Sequence, residues 1–186
     1  LCNFAFPMEI ERTMPNTGKD GEVNEDAFDG VKKKEIMGRD DYNPEDEKDI
    51  QEDVSYQKRI VKALKELSKK DKYGNYSYLN MESLSMYSPK FVELVNNLQH
   101  PDNSGKHLIY SQFRTIEGIG IIRLILMANG YAEFKVKKNN STGKWSIVQN
   151  IGDEEKPKFV LYTGTETSEE KELIRNIYNS NWGVVP

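Results

Sequence analysis

Several things are scarce in this chain, and each scarcity closes a class of explanation. A single cysteine, Cys2, stands among 186 residues, so no disulfide framework can form within the chain. No apolar run approaches the roughly 18 residues that a membrane-spanning helix needs. Basic charge is not in excess: 26 Lys and Arg face 30 Asp and Glu, for a net charge of −4. No global positive field therefore argues for nucleic acid, although local contacts stay open. The two histidines, His100 and His107, are too isolated to form a catalytic pair, and no Ser or Cys has an evident base. Leu1 is not a start methionine, and the first residues lack a signal-peptide pattern. Apolar residues make up 37% and charged residues 30%, a leaner core than a compact domain usually has.

That deficit is local. Residues 16–53 carry fourteen acidic and six basic side chains with few large apolar ones. Such a composition cannot offset the entropy of ordering, and it predicts a disordered acidic insert. Its carboxylates do not follow the spacing of an EF-hand loop, so a solvated segment is favoured over a metal site. Ahead of it, residues 1–15 open with Leu1, Phe4 and Phe6 and break at Pro7 and Pro15. From the residues alone they read as an ordinary strand without partners.

From residue 54 a helical period begins. Ile60, Val61, Leu64 and Leu67 share one face over 54–72, Lys58, Arg59, Lys62, Lys65 and Lys69 lie mostly elsewhere, and Gly74 is placed to cap the end. The lysines are either a solvated face or a surface for phosphates. Tyr73, Tyr76, Tyr78 and Tyr87 crowd the linker that follows, to residue 83 and just beyond. They either pack on the neighbouring domain or, with lysines beside them, stack on bases. Ser88-Pro89 is a helix start, with Ser as N-cap and Pro in the first turn. Phe91, Leu94, Val95 and Leu98 form its buried face, and His100-Pro101 ends it.

The stretch Lys106–Gly130 is the one the rest is organised around. His107–Tyr110 is a short apolar run suited to a buried strand of a parallel sheet. Ser111, Gln112 and Arg114 follow at its C-terminal end, where open α/β sheets place ligands. Ile116–Met127 is apolar nearly all round, a helix without a wet face, closed by Asn129-Gly130. Gly118 and Gly120 fit close packing of that helix on a sheet. The period then changes to two strands, Tyr131–Val136 and Lys144–Val148, forming a hairpin within 131–149 in which Trp145 and Ile147 face one covered side. A further strand spans Lys158–Thr163. Thr167 and Glu170 make a capping box for a last helix with an apolar face of Leu173, Ile174, Ile177 and Tyr178.

These segments resemble a known family. "HLIYSQFRTIEGIGIIRLIL" is similar to motif IV and the following helix in the second RecA-like domain of superfamily 2 helicases, nearest in flavour to the helicase-like ATPases of large nucleocytoplasmic DNA viruses. "SPKF" at Ser88–Phe91 and "FVLYTGTETSEEKELIRNIYN" at Phe159–Asn179 fit the same pattern in the same order. The resemblance implies an α/β, incomplete RecA-like domain over 84–186. It implies that the chain is a piece of a longer ATP-dependent helicase or translocase, intracellular, in a virion, a viral factory or the host cytoplasm, with residues 1–15 leading from its first RecA-like domain towards the second. The end of the motif IV strand and the Gly-turn after the next strand then face a DNA or RNA backbone. Ser111, Gln112 and Arg114 would donate to phosphates, and Thr163, Gly164 and Thr165 would offer hydroxyls and a close-approach backbone. The alternative is that Ser111 and Gln112 cap the neighbouring helix while Arg114 pairs with Glu117.

ATP and Mg would belong to the intact parent. No Gly-x-x-x-x-Gly-Lys-Ser/Thr loop, no Asp-Glu-x-His motif and no arginine-bearing motif VI occurs here, so the chain alone is expected to be inactive. Its partners are then the nucleic-acid backbone and the parent's first RecA-like domain, with no membrane. With the motif V strand missing, the edges of 107–113 and 158–163 should be unpaired, and apolar surface over Ile116–Met127 partly uncovered. The competing reading is a non-enzymatic α/β module for protein interaction.

Overall fold

In a computed structural model of the chain, residues 3–12, 58–113, 116, 118–139, 141–148, 150–162, 166–181 and 183 are described. The expected acidic insert, 16–53, lies outside them. The chain is mixed α/β, with helices dominant and a few short strands. It divides into two compact units, Leu1–Asn129 and Gly130–Pro186. Among the described residues no helix is long and apolar enough to cross a membrane.

The first unit is helical. Helix α1 is seen over 58–67 and buries Ile60, Ala63 and Leu67. Val61, expected on that face, is 65% exposed; the i, i+3, i+7 spacing selects Ala63 instead. The helix also stops earlier than the expected residue 72. Asp71 turns its carboxylate onto the backbone N–H groups of Tyr73 and Asn75 at 2.8 and 2.9 Å, a local alternative that competes with helix continuation. Gly74, at φ +86°, therefore serves a tight turn and not a helix cap.

Helices α2 (Met81–Tyr87) and α3 (Pro89–Gln99) share one hinge residue, Ser88. Its N–H donates to Leu84 O at 2.7 Å, closing α2. Its Oγ accepts from Phe91 N–H at 3.2 Å, opening α3, and donates to Asn3 O at 2.5 Å. The hydroxyl thus ties the N-terminal stretch to the α2–α3 joint, which explains why this polar residue is buried. Phe4 inserts there against Phe6 and Tyr87, with ring centroids 5.3 and 5.9 Å apart. Of the expected α3 face, Phe91 and Val95 are buried, and Leu94 and Leu98 half-buried.

Helix α4 (Ile119–Ala128) is the core element of the unit. Ile121, Ile122, Leu124, Ile125 and Leu126 are all buried, each contributing roughly 1.5–3 kcal/mol relative to exposure. Asn129 closes the helix through its N–H to Ile125 O, and its side chain donates to Leu79 O at 2.9 Å. Gly130 then takes φ +94°, the left-handed position that its lack of a Cβ permits. Ile116–Met127, expected to lie partly uncovered, is mostly covered among its described residues, with Ile119 and Met127 the partly open apolar side chains. Ile116 is fully buried and Met127 half-buried.

The second unit carries the strands. Strand β1 (Ala132–Glu133) pairs in parallel with β4 (Lys158–Phe159), Ala132 opposite Lys158. Strands β2 (Lys135–Lys138) and β3 (Trp145–Val148) form the expected hairpin, antiparallel, with Lys138 opposite Trp145. The single expected strand Tyr131–Val136 is thus split at Phe134, whose N–H donates to Phe159 O at 2.7 Å. The Lys158–Thr163 strand is assigned only over its first two residues. Helix α5 (Ser168–Tyr178) starts as expected, with Thr167 Oγ1 accepting from Glu170 N–H at 3.2 Å. Leu173 and Ile174 are buried, Ile177 is half-buried and Tyr178 exposed.

Candidate nucleic-acid interface

The polar residues expected to meet a ligand begin at Ser111. The segment leading to them, His107–Phe113, is not a strand. Leu108 is 94% exposed and Tyr110 86%, and Leu108, Ile109 and Tyr110 form no backbone hydrogen bond with any described residue. The physical reason is pairing. A strand acquires its backbone partners from a neighbour, and the first unit offers no described strand besides an isolated bridge between Lys70 and Tyr76.

Ser111 is half-buried and turned onto its own chain, accepting from Phe113 N–H at 3.2 Å and donating to Phe113 O at 3.1 Å. It therefore does not cap helix α4, whose N-cap is Gly118 without a side-chain bond. Gln112 is exposed, its amide open to solvent. Arg114 and Glu117, whose pairing was the alternative to a phosphate contact, lie outside the described residues. So do Thr163, Gly164 and Thr165. The structure thus places Ser111 and Gln112 together in one turn and does not describe the rest of the set.

Gly118 does not serve the expected packing of a helix on a sheet but a close backbone approach. Ile119 N–H donates to Phe113 O at 3.0 Å, joining the two ends of the 113–119 stretch. A Cβ at Gly118 would stand 1.9 Å from that same oxygen. Only glycine admits this closure. It holds the exposed turn of Ser111 and Gln112 against the first turn of the most buried helix.

Beside this segment lies a shallow groove of about 440 Å³, lined by Leu94, Leu98, Leu108 and Ile109 together with Asp102, Asn103 and His107. His107 Nε2 lies 2.7 Å from Asn103 O, so the imidazole is held in a loop contact. Among the described residues no group of three His, Cys, Asp or Glu side chains can hold a metal ion. The groove's lining also includes Asn97 and Ser104.

In the second unit the charged cluster is a clasp. Glu169, in the first turn of α5, accepts from Lys138 Nζ at 2.8 and 2.6 Å and from the Trp145 indole N–H at 3.0 Å. The Lys138 bond, then the Trp145 bond, hold the Glu169 carboxyl below the usual carboxylate range. Trp145 and Val136 are half-buried, whereas Ile147, expected on the same covered side as Trp145, is 51% exposed. The helix shields only the turn end of the hairpin. In the loop before β4, Lys158 Nζ donates to the carbonyls of Asp153, Glu154 and Lys156, so this lysine is spent on folding its own loop.

Comparison with protein-family models, with curated proteins and with solved structures returned no match.

Proposed function

We propose that this chain supplies the nucleic-acid-contacting half of the second motor domain of an ATP-dependent helicase or translocase. Its RecA-like character belongs to the same reading. The observation that carries it is the ordered resemblance of "SPKF", "HLIYSQFRTIEGIGIIRLIL" and "FVLYTGTETSEEK" to that domain. Two features of the fold support it. A buried apolar helix follows the polar turn at Ser111 and Gln112, and a parallel strand pair, β1 and β4, comes after that helix. Ser111, Gln112, Arg114, Thr163, Gly164 and Thr165 meet phosphates, contacts that position a strand without reading its sequence. ATP and Mg bind the parent protein through residues that this chain lacks, and the parent acts in a viral setting.

The test is Arg114→Ala in the complete parent, read by fluorescence anisotropy on a labelled single strand across a salt series. Binding weakens, and the slope of log affinity against log salt falls by about 0.7 for the lost phosphate. An unchanged slope with a lowered melting temperature makes Arg114 a structural residue and contradicts the reading. One observation favours a second reading, a module for protein interaction. Leu108 and Tyr110 are exposed on a segment that is neither helix nor strand and makes no backbone hydrogen bond with any described residue, a surface to which a partner's strand can add. Absence of any salt-sensitive strand binding by the parent would favour that reading.

A further inference from the structure

A second surface of the first unit has the chemistry of a nucleic-acid contact and involves none of the residues above. Lys58, Lys62 and Lys65 are exposed and spaced by four and three residues, so they form one stripe along α1. None has a carboxylate partner among the described residues, whereas Lys69, next in the stripe, is paired with Glu66. In a chain of net charge −4, this is a segregated positive surface, not a reflection of overall composition.

The stripe runs into a closed loop, Lys69–Ser77. Ser77 N–H donates to Lys69 O at 3.2 Å, Asp71 N–H to Asn75 O at 2.8 Å, and Gly74 N–H to Asp71 O at 3.0 Å. The base of the loop is pinned, since Asn80 Nδ2 donates to Tyr76 O at 2.6 Å and Leu79 is fully buried. On this frame Lys72 Nζ lies 4.9 Å from the centroid of the Tyr73 ring, and Lys70 Nζ 4.9 Å from that of Tyr76. Both distances are within cation–π range. Tyr73 is 76% exposed, leaving ring surface for a planar ligand. Asp71, the one acid at the tip, directs its carboxylate to the loop's own N–H groups.

We propose that the α1 stripe and this loop form a docking surface for single-stranded nucleic acid, with a base stacked on Tyr73 and phosphates met by Lys70, Lys72 and the stripe. Aromatic platforms next to cations are how sequence-tolerant single-strand binding is built. An anionic membrane is the poorer fit, because no aliphatic side chain lies between Lys69 and Ser77 to enter lipid. The proposal does not depend on the motif IV reading, since the two surfaces share no residue.

The experiment uses the full chain and labelled oligo-dT and oligo-rU, with a duplex and phosphatidylserine vesicles as separate arms. Tyr73→Ala weakens single-strand binding roughly 5- to 150-fold, the range of one base–aromatic stack. Tyr73→Phe, which keeps the ring, stays within about two-fold of the parent. Lys70→Ala with Lys72→Ala lowers the salt slope by about 1.4, or about 0.7 for each phosphate. The dT and rU arms separate DNA from RNA. Loss in these variants with Arg114→Ala unchanged supports this surface and counts against motif IV, and the opposite pattern overturns this surface alone. Equal loss in Tyr73→Phe and Tyr73→Ala, no binding by the parent chain, or binding only to vesicles overturns it as well.

Discussion

Residues 107–113 and helix α4 are neighbours in the chain and alike in apolar content, yet they end in opposite environments. Ile121 and Ile125 are fully buried, whereas Leu108 and Tyr110 are almost fully exposed. The difference lies in where the backbone bonds come from. A helix satisfies its own N–H and C=O groups, so α4 can carry apolar side chains into a core without a partner of its own kind. An extended segment has no such internal supply. It stays at the surface, where water pairs its backbone, unless another strand lies alongside. Hydrophobicity is therefore not enough to bury a segment. Backbone satisfaction comes first.

The comparison breaks most visibly on truncation. Ile125→Ala should cost roughly 2–5 kcal/mol in urea melts, the usual range for emptying a closed site. Leu108→Ala should lie within about 0.5 kcal/mol of the parent chain. Similar costs at the two positions would mean that the extended segment is packed after all.

A smaller effect is expected at the junction between the two regions. Gly118→Ala puts a methyl against Phe113 O, so either the Ile119–Phe113 bond opens or the helix start shifts. Overpacking of this kind costs roughly 1–3 kcal/mol. A neutral Gly118→Ala would show that the loop closes by another route.

The smallest effect concerns an exposed element that is held rather than free, the β2–β3 hairpin. Because bonds from Lys138 and Trp145 lower the Glu169 pKa, the clasp contributes stability above the unfolded carboxyl value of about 4.3 and loses it as pH falls through the lower folded value. The indole N–H resonance of Trp145 should therefore shift on acidification below that range, and Glu169→Gln should abolish the shift. A transition near neutral pH would assign it to another group.

What could be read from the sequence divides along the same line. Helix ends were legible, because caps are local: Ser88-Pro89, Thr167 with Glu170, and Asn129-Gly130 act where they stand. The hairpin was legible from its turn, where Asn139 Oδ1 accepts from Ser141 and Thr142 N–H at 2.9 and 3.1 Å. The 107–113 strand was misread because pairing is a property of distant residues, not of the run itself. The early end of α1 was visible in Asp71, whose side chain competes for its own backbone, but the lysine period obscured it. At the candidate site, Gln112 is exposed, as its polar side chain suggests. The Gly118 closure was not legible, since it depends on a carbonyl five residues away. The Lys69–Ser77 loop was foreshadowed by its mix of Lys and Tyr, though not by any motif.

Amide hydrogen exchange on the full chain tests the central contrast most directly, residue by residue. The amides of Leu108, Ile109 and Tyr110 should exchange at close to the rate of an unstructured peptide. Those of Ile122 to Leu126 should exchange only through the largest opening of the first unit. Protection of 108–110 approaching that of α4 would contradict the account, because it would mean that the segment has a strand partner.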